Sequence, residues 1–459
     1  MREGRECVVF CLNLCFPSVV SLFVQQIHLA FSGLTEGGNP SGTVVSWQTV
    51  DDTSTSRVKY GKDASSLVQE ASGFSDSYYE TFDHHVILGD LEPATKYFYQ
   101  CGDDEAGWSE VMSFKTAPGD DTSKDTSFTI GVIGDMGVWN GQDSIDLLNK
   151  MGEEGSFDWV WHVGDIAYAD DSFIHAGQVF KFYYEETYNQ YMNLIQPFAS
   201  SHQYMVLPGN HEAECHSPAC QVDVEKLKAL GNFSAYNARF LMPSSTSNGN
   251  SNMWYSFNYG PVHFVNIDTE TNFDGAPGDH YTWYGGNGEF WGDQVAWLEA
   301  DLAKAAEERD VRPWVMVAGH RPIYSAKHAD ENGNPDGYNA HLQDVFEDLF
   351  HEYGVDMYFA GHRHSYERQL PVYDGTNVQE NYENPAYTVH IVSGGAGCDE
   401  GLDDGYPDEE DLPQWNAVVN GVNYGIGVLD ISPTELSWQY FDSTTGDVLD
   451  SVKVTKTSS

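Results

Sequence analysis

Five times along this chain an apolar run ends in glycine and is followed at once by a residue able to bind a metal ion. Phe128–Ile133 leads into Gly134-Asp135, and Trp159–Val163 into Gly164-Asp165, with Tyr168 three residues on. Tyr204–Leu207 and Pro208 lead into Gly209-Asn210-His211, Trp314–Ala318 into Gly319-His320, and Asp356–Ala360 into Gly361-His362-Arg363-His364. Asp135, Asp165, Tyr168, Asn210, His320, His362 and His364 make an oxygen-and-imidazole set suited to hard or borderline metals, and no cysteine competes. These donors exceed the needs of one tetrahedral ion and suit two ions sharing a bridging carboxylate. Such a pair clamps the attacking and leaving oxygens of an in-line displacement, so the expected chemistry is metal-assisted hydrolysis of a phosphoester.

His211, next to the ligand Asn210, is the candidate general acid for the leaving oxygen, with Glu212 as the group expected to hold it. An imidazolium is populated in acid and lost toward neutrality, so an acid optimum is expected. Arg321 and Tyr324 are weaker candidates for the pocket, and Arg363 suits a structural ion pair as well as it suits substrate. No G-x-x-x-x-G-K-[ST] loop occurs, and Ser393–Gly397 reads as a turn rather than a phosphate cradle.

To meet at one point, these residues need strands that end together. From Thr126 onward apolar strands alternate with amphipathic helices, the texture of an α/β domain, in which ligands bind beyond the carboxyl ends of the strands. Each glycine is expected to allow a sharp turn and a close backbone approach. Leu342, Val345, Phe346, Leu349 and Phe350 predict a helix over Leu342–Tyr353 with one apolar face. A second helix is expected from Asp293 to Glu308, and a hairpin over Trp254–Asp268 around Tyr259-Gly260-Pro261. Residues 25–118 differ: short β-runs (Thr43–Gln48, Arg57–Tyr60, His84–Leu88, Lys96–Cys101, Val111–Thr116) predict a small antiparallel sandwich. The expected organisation is therefore a leader over 1–24, a β-sandwich over 25–118, a linker over 119–125 and an α/β domain over 126–459.

At 459 residues the chain is long enough for two domains, and 41% hydrophobic with 14% aromatic residues can support large cores. A net charge of −48 excludes nucleic acid and anionic membranes as partners. It would also oppose a phosphate substrate, unless cations in the site reverse the sign locally. Arg2, Arg5 and the mostly apolar Cys7–Val24 resemble a signal segment, and no other stretch is apolar and long enough to span a bilayer. Cys7, Cys11 and Cys15 fall in this leader, which leaves Cys101, Cys215, Cys220 and Cys398; Cys215 and Cys220 are close enough in sequence for a local disulfide, and a Cys101–Cys398 bridge is the remaining pairing. Asn232-Phe233-Ser234 is a glycosylation sequon. Together these predict a secreted protein, extracellular or in an acidic vacuolar compartment.

From about Gln25 to the C-terminus the chain resembles the purple acid phosphatases, a branch of the calcineurin-like metallophosphoesterases, with Gly164-Asp165-Ile166-Ala167-Tyr168 as the most specific match. The resemblance implies a two-sheet α/β sandwich flanked by helices, preceded by an all-β fibronectin type III-like domain. It implies Asp135, Asp165, Tyr168 and His364 as ligands of a ferric ion. It implies Asn210, His320 and His362, with bridging Asp165, as ligands of a divalent iron, zinc or manganese ion. On this reading a metal-bound hydroxide attacks a phosphate monoester, His211 protonates the leaving group and His328 faces the substrate. A phosphodiesterase or pyrophosphatase on the same scaffold is the alternative, and a non-catalytic binding protein a third. The small-molecule substrate and the oligomeric state are not specified by these residues.

Overall fold

The computed structural model describes residues 24–105, 107–173, 183–213, 218–277 and 291–457. The expected leader, except Val24, and Cys7, Cys11, Cys15 and Cys215 lie outside the described residues.

Two large sheets face each other. In the first, Phe128–Ile133, Trp159–His162 and Gln203–Val206 run parallel as neighbours. Gly425–Ile431, Glu435–Asp442 and Val448–Thr455 extend it antiparallel on one side. In the second, Val262–Asn266, Trp314–Ala318, Met357–Ala360 and Val389–Ser393 run parallel in that order. Tyr255–Tyr259 closes one edge as the expected hairpin partner, with Gly260 at φ 56° in the turn. Apart from the half-buried Thr129, all residues of the five strands that precede the candidate ligands are buried, which is why they read as largely apolar runs rather than alternating ones.

Side-chain alternation sorts the strand Trp314–Ala318 between two cores. Trp314, Met316 and Ala318 join the aromatic layer between the sheets, where Trp161 packs 5.2 Å from Phe264 and 5.7 Å from Phe359. Val315 and Val317 instead meet Leu298, Leu302, Phe346 and Phe350 on the helical side. Leu298 and Leu302 belong to the helix Gln294–Glu307, capped by the Asp293 carboxylate, which accepts from the Ala296 amide at 3.0 Å. Phe346 and Phe350 belong to a helical run from Gly337 to Tyr353 that starts one turn before the expected Leu342 and contains a π-helical turn at Gln343–Glu347. The ten-stranded sheet is covered in turn by Gln142–Glu154 and Tyr184–Ala199, through residues such as Leu148, Tyr188 and Met192.

The N-terminal strands form a sandwich around Leu29, Trp47, Val58, Val86, Tyr99 and Phe114. One of its two sheets is not separate from the rest. The strand Gln25–Leu34 pairs in parallel with Gln203–Val206 at Leu29 and Gln203, so one ten-stranded sheet runs through both parts of the chain. That pairing covers what would otherwise be an open strand edge. The polar stretch expected to be a linker is a 3-10 turn, Asp120–Asp125, and its Asp120 carboxylate accepts from Thr35 Oγ1 at 2.8 Å and from Asn39 Nδ2 at 2.5 Å. Cys220 is disulfide-bonded. Cys101 and Cys398 are buried free thiols. They do not pair, because Cys101 sits in the N-terminal sheet opposite Val58 while Cys398 packs beside the cleft described next.

Candidate metal centre

The carboxyl ends of the three parallel strands of one sheet meet those of Trp314–Ala318 and Met357–Ala360 from the other. Gly164 takes the sharp turn expected of it, at φ 88°, while after two of the other strands the left-handed turn falls on the following residue. Asp135, Asp165 and His362 themselves adopt left-handed backbone, at φ 57°, 54° and 67°, followed by Ala167 and Tyr168 at 70° and 50°. Such conformations cost about 1–2 kcal/mol each for residues with a Cβ, and their concentration here marks a site held together by its surroundings. Gly209 and Gly361 serve for space: a Cβ on Gly209 would lie 2.2 Å from Asp165 Oδ1, and one on Gly361 2.2 Å from Asp135 Oδ2.

All seven expected ligands converge, in two groups. In one, Tyr168 Oη lies 3.1 Å from Asp135 Oδ1 and 2.9 Å from His364 Nε2, and His364 Nε2 lies 3.5 Å from Asp135 Oδ1. In the other, His320 Nε2 lies 2.9 Å from Asp165 Oδ2 and 3.2 Å from Asn210 Oδ1, and Asp165, His320 and His362 offer donor atoms within 4.8 Å of one another. His320 Nδ1 donates to the Val163 carbonyl at 3.0 Å, and His364 Nδ1 to that of Gly401 at 3.0 Å. These bonds fix the tautomers that leave both Nε2 lone pairs pointing inward, the usual outer support of metal-binding histidines.

That convergence fits cations. Asp165 Oδ2 is buried without a hydrogen-bond donor, and the neutral tautomer of His320 supplies none. Without an ion, burial opposes charge on His320, yet the neighbouring Asp165 and Asp135 carboxylates raise it to about 9, so a proton takes the place of the cation. Asp135 is pushed up by burial and by Asp165, while Asp165, against its burial, is held low by His320 and His211. Tyr168 is raised by burial and by both carboxylates, so a strongly charged ion is what its phenolate would need. His362 is held neutral by burial and by Arg321, whose Nη1 lies 2.7 Å from its Nε2.

A cleft of about 430 Å³ opens over these groups, lined by Asp165, Asn210, His211, His362, Arg363 and His364 and by the loop 400–404. His211 is fixed from behind by Asp170, whose carboxylate oxygens lie 2.9 and 3.0 Å from Nδ1. Burial works against its charge, but Asp170 and Asp165 raise it well above the ordinary imidazole value. Glu212 does not hold His211, contrary to expectation. Its carboxylate points the other way and accepts from the amides of Gly209 (2.8 Å), Asp165 (2.9 Å) and Ile166 (2.7 Å), tying two ligand loops together.

The remaining candidates stand further back. His328 is not among the residues lining the cleft: its Nδ1 lies 3.2 Å from Asp336, and Arg363 Nη1 donates to its Nε2 at 3.0 Å. Arg321 is bound by Glu270 at 2.8–3.0 Å, a partner the sequence did not announce. Tyr324 is fully buried against Glu347, Gln343 and the amide of Gly375, away from the cleft. Asn232 is half-buried at φ 56°, its amide donating to the Ala213 carbonyl at 2.9 Å.

Three segments match described families: the purple acid phosphatase N-terminal domain over residues 24–116, calcineurin-like phosphoesterase over 128–366, and the iron/zinc purple acid phosphatase-like C-terminal segment over 387–451. Among relatives, acid phosphatase type 7 of Mus musculus is 33% identical over 82% of this chain and 78% of its own. Acid phosphatase A of Cryphonectria parasitica is 31% identical over 95% and 92%. Purple acid phosphatase 18 of Arabidopsis thaliana is 30% identical over 91% and 80%. A purple acid phosphatase from yellow lupin seeds shares the fold, with a TM-score of 0.72 at 23% identity over 94% of this chain and 74% of that one. Matched along nearly its whole described length in that order of segments, the chain belongs to the purple acid phosphatase family of calcineurin-like phosphoesterases.

Proposed function

We propose that the protein is an acid phosphatase that hydrolyses phosphate monoesters at a binuclear centre of Fe(III) and a divalent iron, zinc or manganese ion. The observation that carries this reading is the convergence of seven donors, two of them buried carboxylates, into two adjoining groups under one cleft. Asp135, Tyr168 and His364 would hold the ferric ion, Asn210, His320 and His362 the divalent one, and Asp165 would bridge them. When bound, such ions supply Lewis-acid polarisation of the phosphoryl group and lower the pKa of water.

The chain's own residues do the rest. Asp170 anchors His211 Nδ1, so Nε2 faces the cleft and carries the proton that the leaving alkoxide takes up. Arg363 lines the cleft and is held by His328, which supports a role for His328 as a positioning residue for that guanidinium. The domain organisation 25–118, 119–125 and 126–459 belongs to the same reading. The apolar leader, the sequon at Asn232 and the disulfide at Cys220 support secretion to an extracellular or acidic vacuolar space. Among the described residues no helix is long and apolar enough to cross a membrane.

Hydrolysis of p-nitrophenyl phosphate and of its diester in mild acid, with metal analysis of the purified protein, tests the proposal. Turnover of the monoester with iron present is expected; iron-free active protein, or activity on the diester alone, would overturn it.

A further inference from the structure

Beyond the ligands, the cleft carries an unusual charge for a phosphate site. The loop 400–404 contributes Glu400, Asp403 and Asp404 to its wall. Asp403 is neutralised, with Lys327 Nζ at 2.7 Å and Arg363 Nη1 at 3.9 Å. Glu400 and Asp404 have no lysine or arginine partner among the described residues. The Glu400 side chain is 45% exposed, and its Oε2 lies 3.9 Å from His211 Nε2 and 3.8 Å from His364 Nε2.

This position has a direction. If His211 Nε2 delivers the proton to the leaving oxygen, the carboxylate beside it marks the side on which the leaving group departs. Glu400 is then the first group the organic part of the substrate meets, and exposed Asp404 on the same wall follows. An anionic or plain alkyl leaving group gains nothing there, whereas a cation two or three bonds beyond the ester oxygen meets carboxylates that no lysine or arginine of the described residues offsets. Resting on the phosphatase reading above, we propose that Glu400 and Asp404 are specificity-determining residues that select phosphate monoesters of amino alcohols, whose leaving group carries an ammonium. No atoms beyond those of ordinary hydrolysis are involved: a water oxygen bonds to phosphorus as the P–O ester bond breaks, the amino alcohol leaves with the proton, and inorganic phosphate remains.

The test compares kcat/KM for choline phosphate with that for 3,3-dimethylbutyl phosphate, its uncharged carbon isostere, in the metal-loaded full chain at low salt and mildly acid pH. The two alcohols differ in intrinsic leaving ability, but by the same factor in every variant, so the readout is the change in their ratio. Glu400→Gln with Asp404→Asn should lower the ratio about tenfold, and Asp404→Asn alone should lower it severalfold. In the unaltered protein 0.5 M sodium chloride should lower it severalfold as well, because partly exposed charges are screened. A ratio that stays within twofold in the double variant, or that salt does not move, overturns the inference while p-nitrophenyl phosphate turnover leaves the phosphatase reading standing. Failure to hydrolyse any of the three esters removes both.

Discussion

Asp170 grips His211 through both carboxylate oxygens, at 2.9 and 3.0 Å from Nδ1, and the pair is sealed from solvent, with Asp170 fully buried and His211 nearly so. The other ring nitrogen, Nε2, lies 3.9 Å from Asp165 Oδ2 and 3.9 Å from Glu400 Oε2, on the side where His211 lines the cleft. Asp170→Asn should cut turnover of alkyl phosphates about 10²-fold and that of p-nitrophenyl phosphate far less, since a good leaving group needs little protonation. The sign of its pH effect follows from the pair. Asp170 raises His211, so its loss lets the proton leave at lower pH, and the alkaline limb of the kcat profile should move toward acid. An unmoved limb, with equal losses on both substrates, would reduce Asp170 to a structural role.

Asn210→Ala and His362→Ala each remove a donor of one group only. Each variant should bind close to one metal equivalent fewer per chain and retain any visible absorption that arises at Tyr168. Elemental analysis and an absorption spectrum of the same sample check this; loss of both ions from either variant would mean the groups do not load independently.

Chelation should lower thermal stability as well as activity. Buried Asp135 and Asp165 repel one another, Asp165 among the causes that push Asp135 up, and a bound cation relieves that repulsion. A thermal midpoint lower by roughly 5 °C is expected, recovered on adding metal back. Scanning calorimetry of stripped and reloaded protein gives the answer, and coincident melts would contradict the cation-holding geometry.

Gly209→Ala places a methyl 2.2 Å from Asp165 Oδ1 and 2.6 Å from its backbone nitrogen. The second contact is with backbone and cannot be relieved by a side-chain rotation, so Asp165 must move. Metal content should fall below that of Asn210→Ala, with a stability loss of about 1–3 kcal/mol from overpacking. Full occupancy in this variant would show the loop to be more pliant than its packing implies.

A separate effect concerns His390, buried between Tyr324 and Tyr358 at 4.8 and 5.7 Å, with neither ring nitrogen hydrogen-bonded among the described residues. Burial pushes it down to about 3, against about 6.5 in the unfolded chain. Below pH 6.5 the unfolded state gains a proton that the folded state refuses, so stability falls as the medium turns acid. His390→Phe removes this penalty and should stabilise by about 2 kcal/mol more at pH 5 than at pH 7. Urea melts at the two pH values measure the difference; equal gains at both would show that His390 does not stay neutral.

Much of the site was legible because Asp135, Asp165, Asn210, His320 and His362 each stand directly after glycine at the end of a largely buried strand, a combination with few other uses, and Tyr168 and His364 follow within three residues. Groups that act through those ligands had no such marker. Asp170 is one acid in Ala169-Asp170-Asp171, and Glu270 lies far along the chain from the Arg321 it binds. Glu212 was assigned to His211 by adjacency alone, yet the helical turn Asn210–Ala213 swings neighbouring side chains apart and sends its carboxylate to the amides of Gly209, Asp165 and Ile166. The strand Gln25–Leu34 was hidden by its polar His28 and Ser32, and strand neighbours distant in sequence are not written in periodicity, so two independent bodies were expected where one sheet continues. The same blindness covers the early start of the Gly337–Tyr353 helix, whose π turn carries Glu347 to Tyr324.

Because Leu29 hydrogen-bonds alongside Gln203, the N-terminal domain is a buttress for the strand whose far end delivers Asn210 and His211. Cutting the chain near residue 118 would not release a spare module. It would bare a raw margin of peptide groups near the cleft and loosen the shelf from which Asn210 and His211 hang, so the mechanical integrity of the sheet and that of the proposed site are inherited here as one piece.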